Sequence, residues 1–415
     1  MPGLGPTPKR VLMLAPDCHI IDRRILQEAR SLVAEGYCVT VLSGFESPKE
    51  EHYCQDGVGI HRYQYDWDDE RIRGIRALIR NERLRLLFHR AFVGCARRFF
   101  RFNSFDVFVL NRARTFRADI VHVHDLPLLK HGAHLAREWG APLVFDAHEI
   151  YYEQDVLAAR VRRRLKRAEK RYAPRMDLFI TVNEGLADCF RKTHGDLNYL
   201  VLMNCADRAG GINREASRRR LREMAALGES ARIVLYQGWI SAERNLDTLV
   251  RAAKSLPPDA YLCLIGYGEY QQDLERIVEG ESLADRVRFL GRVEPGDILA
   301  LTAGADVGII PYLPIDLNHL HCSPNKFFEY VQTGVPMVTH DLPFFRGMND
   351  KYGVAATGDL SSAGGMASAI NGLLNDANRL AAMRGSCLKA AETLCWETES
   401  RKLIRAYESI RRGMR

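Results

Sequence analysis

The chain has 415 residues, of which 47% are hydrophobic and 27% charged, so two globular domains are expected rather than one core. No apolar run approaches the ~20 residues that a membrane-spanning helix needs, and the N-terminus "MPGLGPTPKR" lacks the apolar core of a signal peptide. The ten cysteines form no Cys-x-x-Cys pair or zinc-like grouping, which fits free thiols in a reducing compartment. We therefore expect a cytoplasmic protein, with residues 1–8 disordered.

Short β-rich runs alternate with helical patterns along the chain. In the first half the predicted strands are "RVLMLAP", "CVTVLS", "DIVHVH", "PLVFDA", "LFITV" and "YLVLM", with helices such as "RRILQEARSLVAEG" between most of them. The pattern restarts with "RIVLYQG", "AYLCLIG", "VRFLG", "DVGIIPY" and "PMVTH". Near-continuous apolar strands separated by helices indicate parallel sheets covered on both faces. We therefore predict an α/β protein of two doubly wound, Rossmann-like domains.

The alternation breaks between Asn204 and Ser230, where "NCADRAGGINREASRRR" interrupts it. This break predicts an N-terminal domain over residues 9–205, a linker region over 206–230 and a C-terminal domain over 231–395. The last segment, "CWETESRKLIRAYESI", has the apolar stripe of one amphipathic helix.

Two segments carry a strong excess of positive charge. Residues 71–101 hold ten arginines against one acid, and residues 160–175 hold nine lysines and arginines against one acid. Both keep an apolar stripe at helical spacing, and basic amphipathic helices attract anionic lipid surfaces. An anionic membrane surface is therefore a candidate partner, and a solvated basic face over a core stripe is the alternative. No nucleic-acid-binding motif accompanies the charge, so nucleic acid is not expected as a partner.

The stretch "CSPNKFFEYVQTGVPMV" predicts a helix that begins at the crevice beyond the carboxyl ends of the strands, where open parallel sheets bind ligands. Ser323 suits the N-cap and Pro324 the first helical position. The amides left without a helical partner are those of Asn325, Lys326 and Phe327. Free amides at the positive end of a helix bind phosphate, and Lys326 adds a full charge there. Glu329 lies beside the crevice as an acceptor for sugar hydroxyls; a capped structural helix is the alternative.

Glycine follows three strands of the second half, at Gly238, around Tyr267 and before Arg292–Val293. Glycine lets the backbone approach a ligand closely, and Arg244 stands where the next helix is expected to begin. This set suits a diphosphate that carries a ribose. The dinucleotide spacing Gly-x-Gly-x-x-Gly is absent, which disfavours a nicotinamide dehydrogenase.

The motifs "SPNKFFEYVQTGVPMV", "YQGWISAERNLDTLV" and "ADIVHVHDLP" with "VFDAHE" resemble those of the retaining glycosyltransferases of family 4, over nearly the whole chain. The resemblance implies the GT-B architecture, in which a cleft separates two Rossmann-like domains and a C-terminal helix, here 396–415, crosses back to the first domain. It implies a nucleotide-diphosphate sugar of UDP or GDP type as donor in the C-terminal domain. A glycan or lipid-linked acceptor would bind the N-terminal domain.

The resemblance also implies roles on the donor side. Glu329 would hold the ribose hydroxyls, Arg244 and Lys326 would hold the diphosphate, and the base would lie against Arg292 and Val293. The amides around Asn325 would add to the diphosphate site, with Gly238, Tyr267 and Phe327 beside it.

The chain departs from the family pattern at two positions. The family's earlier glutamate, which contacts the transferred sugar, is His321 here, and its usual arginine is Trp239, which leaves Arg244 as the expected main cation.

On the acceptor side, His124 and His148 end two predicted strands, so both imidazoles are expected to face the cleft. Imidazole can donate to a hydroxyl or a phosphate and can move a proton near neutral pH. His122, two residues before His124 on the same strand, is expected to be a buried histidine with satisfied hydrogen bonds. Glu149 is expected to reach the donor or acceptor sugar.

The run "DCHIIDRRILQEA" resembles an Asp-x-Arg-x-x-x-Glu-Ala variant of the family, which would organise Asp22, Arg24 and Glu28 near the cleft. A surface salt bridge is the alternative. The acidic run "DWDDE" at 66–70 lies away from any predicted strand end, and GT-B enzymes are generally metal-independent. We therefore expect no metal and no cofactor.

These expectations combine into a glycosyltransferase that moves a sugar, with retention, to a hydroxyl in cell-surface polysaccharide or glycoconjugate synthesis. His124, Arg244 and Lys326 are the predicted catalytic groups. A non-hydrolysing sugar-nucleotide epimerase shares the two-domain layout and is the first alternative. A catalytically silent subunit of a glycosylation complex is the second, favoured by His321 and Trp239.

Overall fold

The structure is a computed structural model that describes residues 9–16, 21–44, 46–65, 104–154 and 157–413. The predicted disorder of residues 1–8, the basic helix predicted for 71–101 and the "DWDDE" run fall outside these residues. Within the described ranges, no helix combines the length and the apolar character needed to cross a membrane.

The first sheet holds eight strands in the part of the chain that the structure describes. They are β1 (Arg10–Leu14), β2 (Cys38–Ser43), β3 (Glu46–Gln55), β4 (Val58–Gln64), β5 (Ile120–His124), β6 (Leu143–Ala147), β7 (Leu178–Thr181) and β8 (Tyr199–Val201). The order is β3-β4-β2-β1-β5-β6-β7-β8, and the strand order reverses between β1 and β5. The helices between the strands are α1 (Arg23–Ala34), α2 (Ser104–Arg114), α3 (Leu129–Trp139), α4 (Ala159–Tyr172) and α5 (Glu184–His194).

The hairpin β3–β4 was not predicted, and it makes one edge of the sheet antiparallel. Asp56 and Gly57 connect the two strands with φ angles of 52° and 79°, as two-residue hairpin turns require. β3 reads "ESPKEEHYCQ" and has no apolar run, because an edge strand pairs through its backbone without burying alternate side chains. The expectation of purely parallel sheets is therefore wrong at this edge.

The second sheet holds six strands among the described residues: β9 (Arg232–Gln237), β10 (Ala260–Ile265), β11 (Val287–Gly291), β12 (Val307–Ile310), β13 (Met337–His340) and β14 (Ala355–Gly358). All neighbours are parallel in the order β11-β10-β9-β12-β13-β14. The order reverses between β9 and β12, and ligands bind at such a reversal. The helices of this half are α6 (Arg214–Met224), α7 (Leu246–Ala252), α8 (Gln271–Gly280), α9 (Ile298–Thr302), α10 (Leu317–Leu320), α11 (Asn325–Gln332), α12 (Pro343–Tyr352), α13 (Ala363–Leu374) and α14 (Ala377–Ala391).

Residues 206–230, predicted as a linker region, contain the helix α6. Its Leu221 is fully buried in the same apolar cluster as Ile233 of β9 and Leu301 of α9. Much of this segment therefore packs against the second sheet instead of running free between the domains.

The terminal helix α15 (Trp396–Gly413) returns to the first domain. Trp396, Leu403 and Tyr407 are buried in the apolar cluster of α1 and β1. The Tyr407 hydroxyl lies 2.7 Å from His122 Nδ1, and the Trp396 indole N–H donates to Ser31 Oγ at 2.9 Å. The predicted fold, two Rossmann-like domains with a terminal helix that crosses back, is confirmed.

The helix α11 packs on β12 through a contact that leaves no room for a side chain at Gly308. A Cβ there would lie 2.7 Å from the Tyr330 ring. That ring is fully buried, and its hydroxyl donates to the Leu235 carbonyl at 2.7 Å. The ring therefore cannot move aside without losing a buried hydrogen bond.

We predict that Gly308→Ala lowers the free energy of unfolding by about 1–3 kcal/mol, as overpacked core positions do, and lowers the midpoint of thermal unfolding. Gly385→Ala in α14 is the matched control, because nothing lies within 4 Å of a Cβ added there. Alanine favours a helix over glycine, so this control should keep or raise the midpoint. An unchanged midpoint in Gly308→Ala would contradict the packing of α11 on β12.

Candidate active site

A cavity of about 410 Å³ opens between the two domains, beside the carboxyl ends of β9 and β12. Its lining from the first domain is Asp22, Arg24, His148 and Asn204. Its lining from the second domain is Gln237, Gly238, Trp239, Arg244, Ile298, Tyr312, Ser323, Pro324, Asn325, Lys326 and Glu329. Eight of the predicted site residues are thus brought together: Asp22, Arg24, His148, Gly238, Arg244, Asn325, Lys326 and Glu329.

The helix α11 begins at Asn325, one residue later than predicted, with Pro324 at the N-cap position. Ser323 Oγ has no hydrogen-bond partner among the described residues, so the predicted serine cap is wrong. The Phe327 amide donates to the Pro324 carbonyl at 3.0 Å, and the Phe327 side chain is fully buried. Phe327 is therefore a core residue, while Asn325 and Lys326 face the cavity at the positive end of the helix.

Two cations flank one tyrosine ring in this cavity. Lys326 Nζ donates to the Tyr312 hydroxyl at 2.7 Å and lies 4.2 Å from the centroid of the Tyr236 ring. The Arg244 guanidinium lies 4.5 Å from the centroid of the Tyr312 ring. Burial lowers the pKa of Lys326 well below its usual range, and Arg244 lowers it further against the opposing effect of Glu329. An anion bound here would stabilise both charged side chains.

The ends of β9 and β10 meet at positions that only glycine can occupy. Gly238 has a φ of 128°, and a Cβ there would lie 3.1 Å from Lys326 Nζ. Gly266 has a φ of 148°, and a Cβ there would lie 1.8 Å from the Gly238 carbonyl oxygen. The glycine after each strand therefore allows the close approach that brings Lys326 to the cavity.

Glu329 is held from both domains. Arg23 Nη1 reaches across the cleft from α1 and lies 2.5 Å from Glu329 Oε1. The Gln237 amide donates to the other carboxylate oxygen, and the Thr302 hydroxyl fixes Gln237 by donating to its Oε1 at 2.7 Å. Glu329 is buried, with 7% of its surface exposed. Its two partners therefore fix the orientation of the carboxylate before any ligand binds.

The wall formed by the first domain depends on a buried arginine. Arg24 makes a bidentate pair with Asp146, with Nε–Oδ2 at 2.8 Å and Nη2–Oδ1 at 3.0 Å. Its Nη1 donates to the Leu202 carbonyl at 2.7 Å and to Asn204 Oδ1 at 2.9 Å. Glu28 Oε1 lies 3.0 Å from Arg24 Nε. Arg24 is 4% exposed and both acids are fully buried, so the alternative of a surface salt bridge is wrong.

His148 presents a charged imidazole to the cavity. Its Nε2 lies 3.1 Å from Asp146 Oδ2 and its Nδ1 lies 3.5 Å from Asp125 Oδ2. Although burial lowers it, these two carboxylates raise the pKa of His148 to about 10. Burial raises the pKa of Asp125 to about 7, against the opposing charge of His148. His148 is therefore a hydrogen-bond donor at neutral pH.

His124 does not reach the cavity, so its predicted position at the cleft surface is wrong. Its side chain is fully buried, stacks on His122 at 4.3 Å between ring centroids, and places Nδ1 3.4 Å from Asp146 Oδ2. The strand β5 ends at the edge of the sheet that faces the cleft, as predicted. His124 nevertheless lies behind the residues of the first domain that line the cavity. His122 is buried as expected, but only its Nδ1 has a hydrogen-bond partner, Tyr407, while its Nε2 has none among the described residues.

Glu28, His122, His124 and Asp146 place one potential metal-ligating atom each within 4.8 Å of one another. The Arg24 guanidinium already contacts both carboxylates of this group. The two imidazoles are stacked with 25° between their planes, so their in-plane lone pairs do not converge on one point. The arrangement favours a buried ion-pair network; the expected absence of a metal stays a prediction.

Arg292 and Val293, the predicted base-binding residues, and Tyr267, predicted beside the diphosphate, do not line the cavity, but Tyr267 and Arg292 connect to it through Trp239. The Tyr267 ring meets the Trp239 ring edge-on at 5.0 Å, and the Arg292 guanidinium lies 5.1 Å from the Tyr267 centroid. Val293 follows Arg292 and packs partly against the second domain's core. Trp239 and Tyr267 are both exposed, so they form an aromatic shelf at the ends of β9 and β10.

The structure separates two other predicted residues from the cavity of about 410 Å³. Glu149 accepts a hydrogen bond from Gln154 and lines an adjoining cavity of about 200 Å³. His321 lines a different cavity of about 520 Å³, and its carbonyl accepts from Asn183 Nδ2 at 2.7 Å. His321 packs on Gly185, where a Cβ would lie 2.4 Å from His321 Nδ1.

Sequence reasoning missed five residues that shape the site: Asp125, Asp146, Asn204, Gln237 and Tyr312. Tyr312 lies two residues after the end of β12, and Gly238 lies directly after β9. The expectation that ligands bind at the carboxyl ends of strands could therefore have identified Tyr312. No spacing links Asp146 to Arg24, because their pairing depends on how α1 crosses the sheet.

Comparisons with known proteins agree with this fold. Residues 21–204 match the family described as "Glycosyl transferase 4-like domain", and residues 217–387 match "Glycosyl transferases group 1". Together these matches support a glycosyltransferase with the GT-B fold.

Individual relatives are distant. The glycogen synthase of Mycobacterium tuberculosis is 25% identical over 321 residues, which cover 74% of this chain and 72% of that protein. The alpha-D-kanosaminyltransferase of Streptomyces kanamyceticus is 25% identical over 50% of this chain and 55% of its own length. The crystal structure of HepE from Anabaena in complex with UDP-glucose matches 97% of this chain and 100% of its own, at 16% identity and a TM-score of 0.72.

We predict that His148 stays protonated through neutral pH and that Asp125→Asn lowers its pKa, because the substitution removes a carboxylate 3.5 Å away. Asparagine tolerates the φ of 57° at position 125. Because the folded pKa is raised, the stabilisation from this group is complete below about pH 6.5. It is lost as the pH rises toward about 10.

The measurement is an NMR titration of the His148 ring. Asp188→Asn on the exposed face of α5 removes an equal charge elsewhere in the same domain and should leave the titration unchanged. A wild-type His148 that titrates near its ordinary value of about 6.5 would show that the paired carboxylates do not hold the proton.

Proposed function

We propose that the protein is a retaining glycosyltransferase of family 4 that transfers a sugar from a nucleotide-diphosphate donor to a hydroxyl of a glycan or lipid-linked acceptor. The proposed process is synthesis of cell-surface polysaccharide or glycoconjugate. The observation that carries the proposal is the pair of cations, Lys326 and Arg244, on the Tyr312 ring at the start of α11. Two cations held together in a partly closed cavity form a site for a diphosphate.

The donor would lie along the second domain. In this proposal its diphosphate contacts Lys326, Arg244 and the amides at the start of α11, and its ribose hydroxyls bind Glu329. The aromatic shelf of Trp239 and Tyr267 suits the flat face of a base. A UDP or GDP donor fits this arrangement, and the UDP-glucose bound to the related fold of HepE favours UDP.

The chemistry would rest on stabilising the departing diphosphate. Lys326 and Arg244 balance the negative charge that develops on the leaving oxygen. His148 is charged, so it acts as a donor to the sugar or the diphosphate and not as the base. The departing diphosphate would take the proton of the acceptor hydroxyl on the face where the new bond forms, which gives retention.

Contact with an anionic membrane surface also stays a prediction. Residues 71–101 lie outside the described ranges. Residues 160–175 form α4 and the short turn after it, and most of their basic side chains are exposed.

We predict that Arg244→Gln and Lys326→Met each lower turnover by about 10²–10³-fold, the usual loss when one group that stabilises a developing charge is removed. Glu329→Gln should mainly weaken donor binding, because it removes a charge that accepts from hydroxyls. The assay measures release of UDP or GDP from the sugar donor on addition of acceptor extract. Arg251→Gln is the matched control, since Arg251 pairs with Asp247 on the same helix, α7, and with Glu281 at the end of α8.

Full activity in all three cleft variants would sink the assignment of the diphosphate site. Calorimetry with UDP and GDP separates binding from chemistry. Loss of heat in Lys326→Met together with normal heat in Arg251→Gln is the expected pattern.

We also predict that the product keeps the anomeric configuration of the donor sugar, because the acceptor would attack on the face that the departing diphosphate leaves. Proton NMR of the first product formed reads the configuration directly. An inverted anomer would leave the donor site intact and reject the proposed retention.

A further inference from the structure

The outer face of the first domain carries a concave surface built from two helices, outside the cavities of the cleft. It encloses about 380 Å³. We call it the basic groove, and its lining is Lys130, Ala133, His134, Arg137, Arg164, Arg167, Ala168, Arg171, Tyr172 and Arg175. The first four residues come from α3, the next five from α4 and the last from the turn after α4.

Helical spacing explains why the charges converge. Arg164, Arg167 and Arg171 recur three and four residues apart on α4, so they share one face of the helix. Leu165 and Tyr172 of the same helix pack against the first domain's core. The one acid of α4, Glu169, is buried and lies 2.7 Å from His194 Nε2, so it does not neutralise the groove.

The groove differs from the rest of the described surface in how its arginines are paired. Exposed arginines elsewhere commonly meet a carboxylate: Arg30 with Asp207 at 3.0 Å, Arg220 with Asp297 at 2.9 Å, and Arg346 with Asp341 at 2.7 Å.

In the groove, all five arginines have no carboxylate within 4.0 Å among the described residues: Arg137, Arg164, Arg167, Arg171 and Arg175. The acids that are present are taken by neighbours, Asp106 by Lys130 at 2.5 Å and Glu138 by Arg114 at 2.8 Å. Unpaired like charges on one concave surface raise the local potential and attract anions.

The chemistry of these side chains selects the anion. An arginine guanidinium matches phosphate oxygens in a bidentate geometry, and several together favour a multiply charged group over a single carboxylate. The volume of the groove exceeds that of one phosphate ion, so a ligand with adjacent phosphates, or a phosphate on a larger headgroup, fits it. We propose that the basic groove binds clustered phosphate groups, at a site separate from the donor cavity and independent of the proposed activity.

The test compares two triple variants that lose the same charge from the same helix. Arg164→Gln/Arg167→Gln/Arg171→Gln removes the groove face. Arg160→Gln/Arg163→Gln/Lys170→Gln is the control, because its three residues are also exposed but do not line the groove. All six side chains are exposed, and thermal unfolding verifies that both variants fold.

Inorganic pyrophosphate is the first probe, measured by calorimetry at low salt. Both triple variants carry Arg244→Gln so that the donor cavity contributes less. We expect the groove variant to weaken pyrophosphate binding by about tenfold or more, and the control by less than about twofold, because bidentate charge-assisted contacts are local. The effect of Arg244→Gln alone reports on the donor cavity, so failure of one site is distinguishable from failure of the other.

Vesicles of phosphatidylcholine with and without phosphatidylglycerol are the second probe, and they separate the sources of phosphate. Pyrophosphate binding without vesicle binding supports a free phosphorylated ligand. Vesicle binding that needs phosphatidylglycerol and is lost in the groove variant alone supports a lipid headgroup. Equal losses in both triple variants, or no loss in either with both probes, would overturn the proposal, because binding would then follow net charge or not involve the groove.

Discussion

The ion pair between Arg24 and Asp146 fixes the first domain's side of the cleft. A buried guanidinium is stable only when its charge and its donors are matched, and Arg24 meets this condition by contacting β6 through Asp146 and the end of β8 through the Leu202 carbonyl. The pair thereby ties α1 to two strands at their carboxyl ends. The same Asp146 carboxylate contacts His148. The ion pair therefore fixes the position of this imidazole in the cleft and helps to keep it protonated.

The terminal helix joins this network through a second buried contact. Burial raises the pKa of Glu28 well above its usual range, and Asp146 raises it further against the effect of Arg24. The bidentate contact with Asp146 is therefore the main ion pair of Arg24 in the interior. His122 lies 3.7 Å from Glu28 Oε2 and bonds the Tyr407 hydroxyl. The helix α15 therefore covers this polar network, which would otherwise be open to solvent, and completes the core of the first domain.

The sequence was sufficient for features that depend on local pattern. Apolar runs predicted most strands, and the glycine after β9 indicated a strand end that lines the cavity. The position of His124 at the end of β5 predicted the edge of the sheet where it lies, but not that its side chain is fully buried. Burial depends on the side chains of α1 that cover this edge, and the strand pattern does not contain them. The strand β3 lacked an apolar run, so the Asp-Gly turn before β4 was the main local signal for the hairpin. The contact between Arg23 and Glu329 joins residues 306 positions apart, and no local rule reaches that far.

The two walls of the cleft differ in how their charge is balanced, and this difference orients a ligand. In the first domain Arg24 and His148 are matched by buried carboxylates, whereas Lys326 and Arg244 in the second domain rest on tyrosine rings. A dianionic ligand group is therefore stabilised more by the cations of the second domain than by those of the first. Glu329 connects the walls, with one oxygen fixed by Gln237 within its own domain and the other bonded to Arg23. A ligand hydroxyl at Glu329, as proposed, would compete with Arg23, which is the more exposed partner, and would thereby couple ligand binding to the contact between the domains.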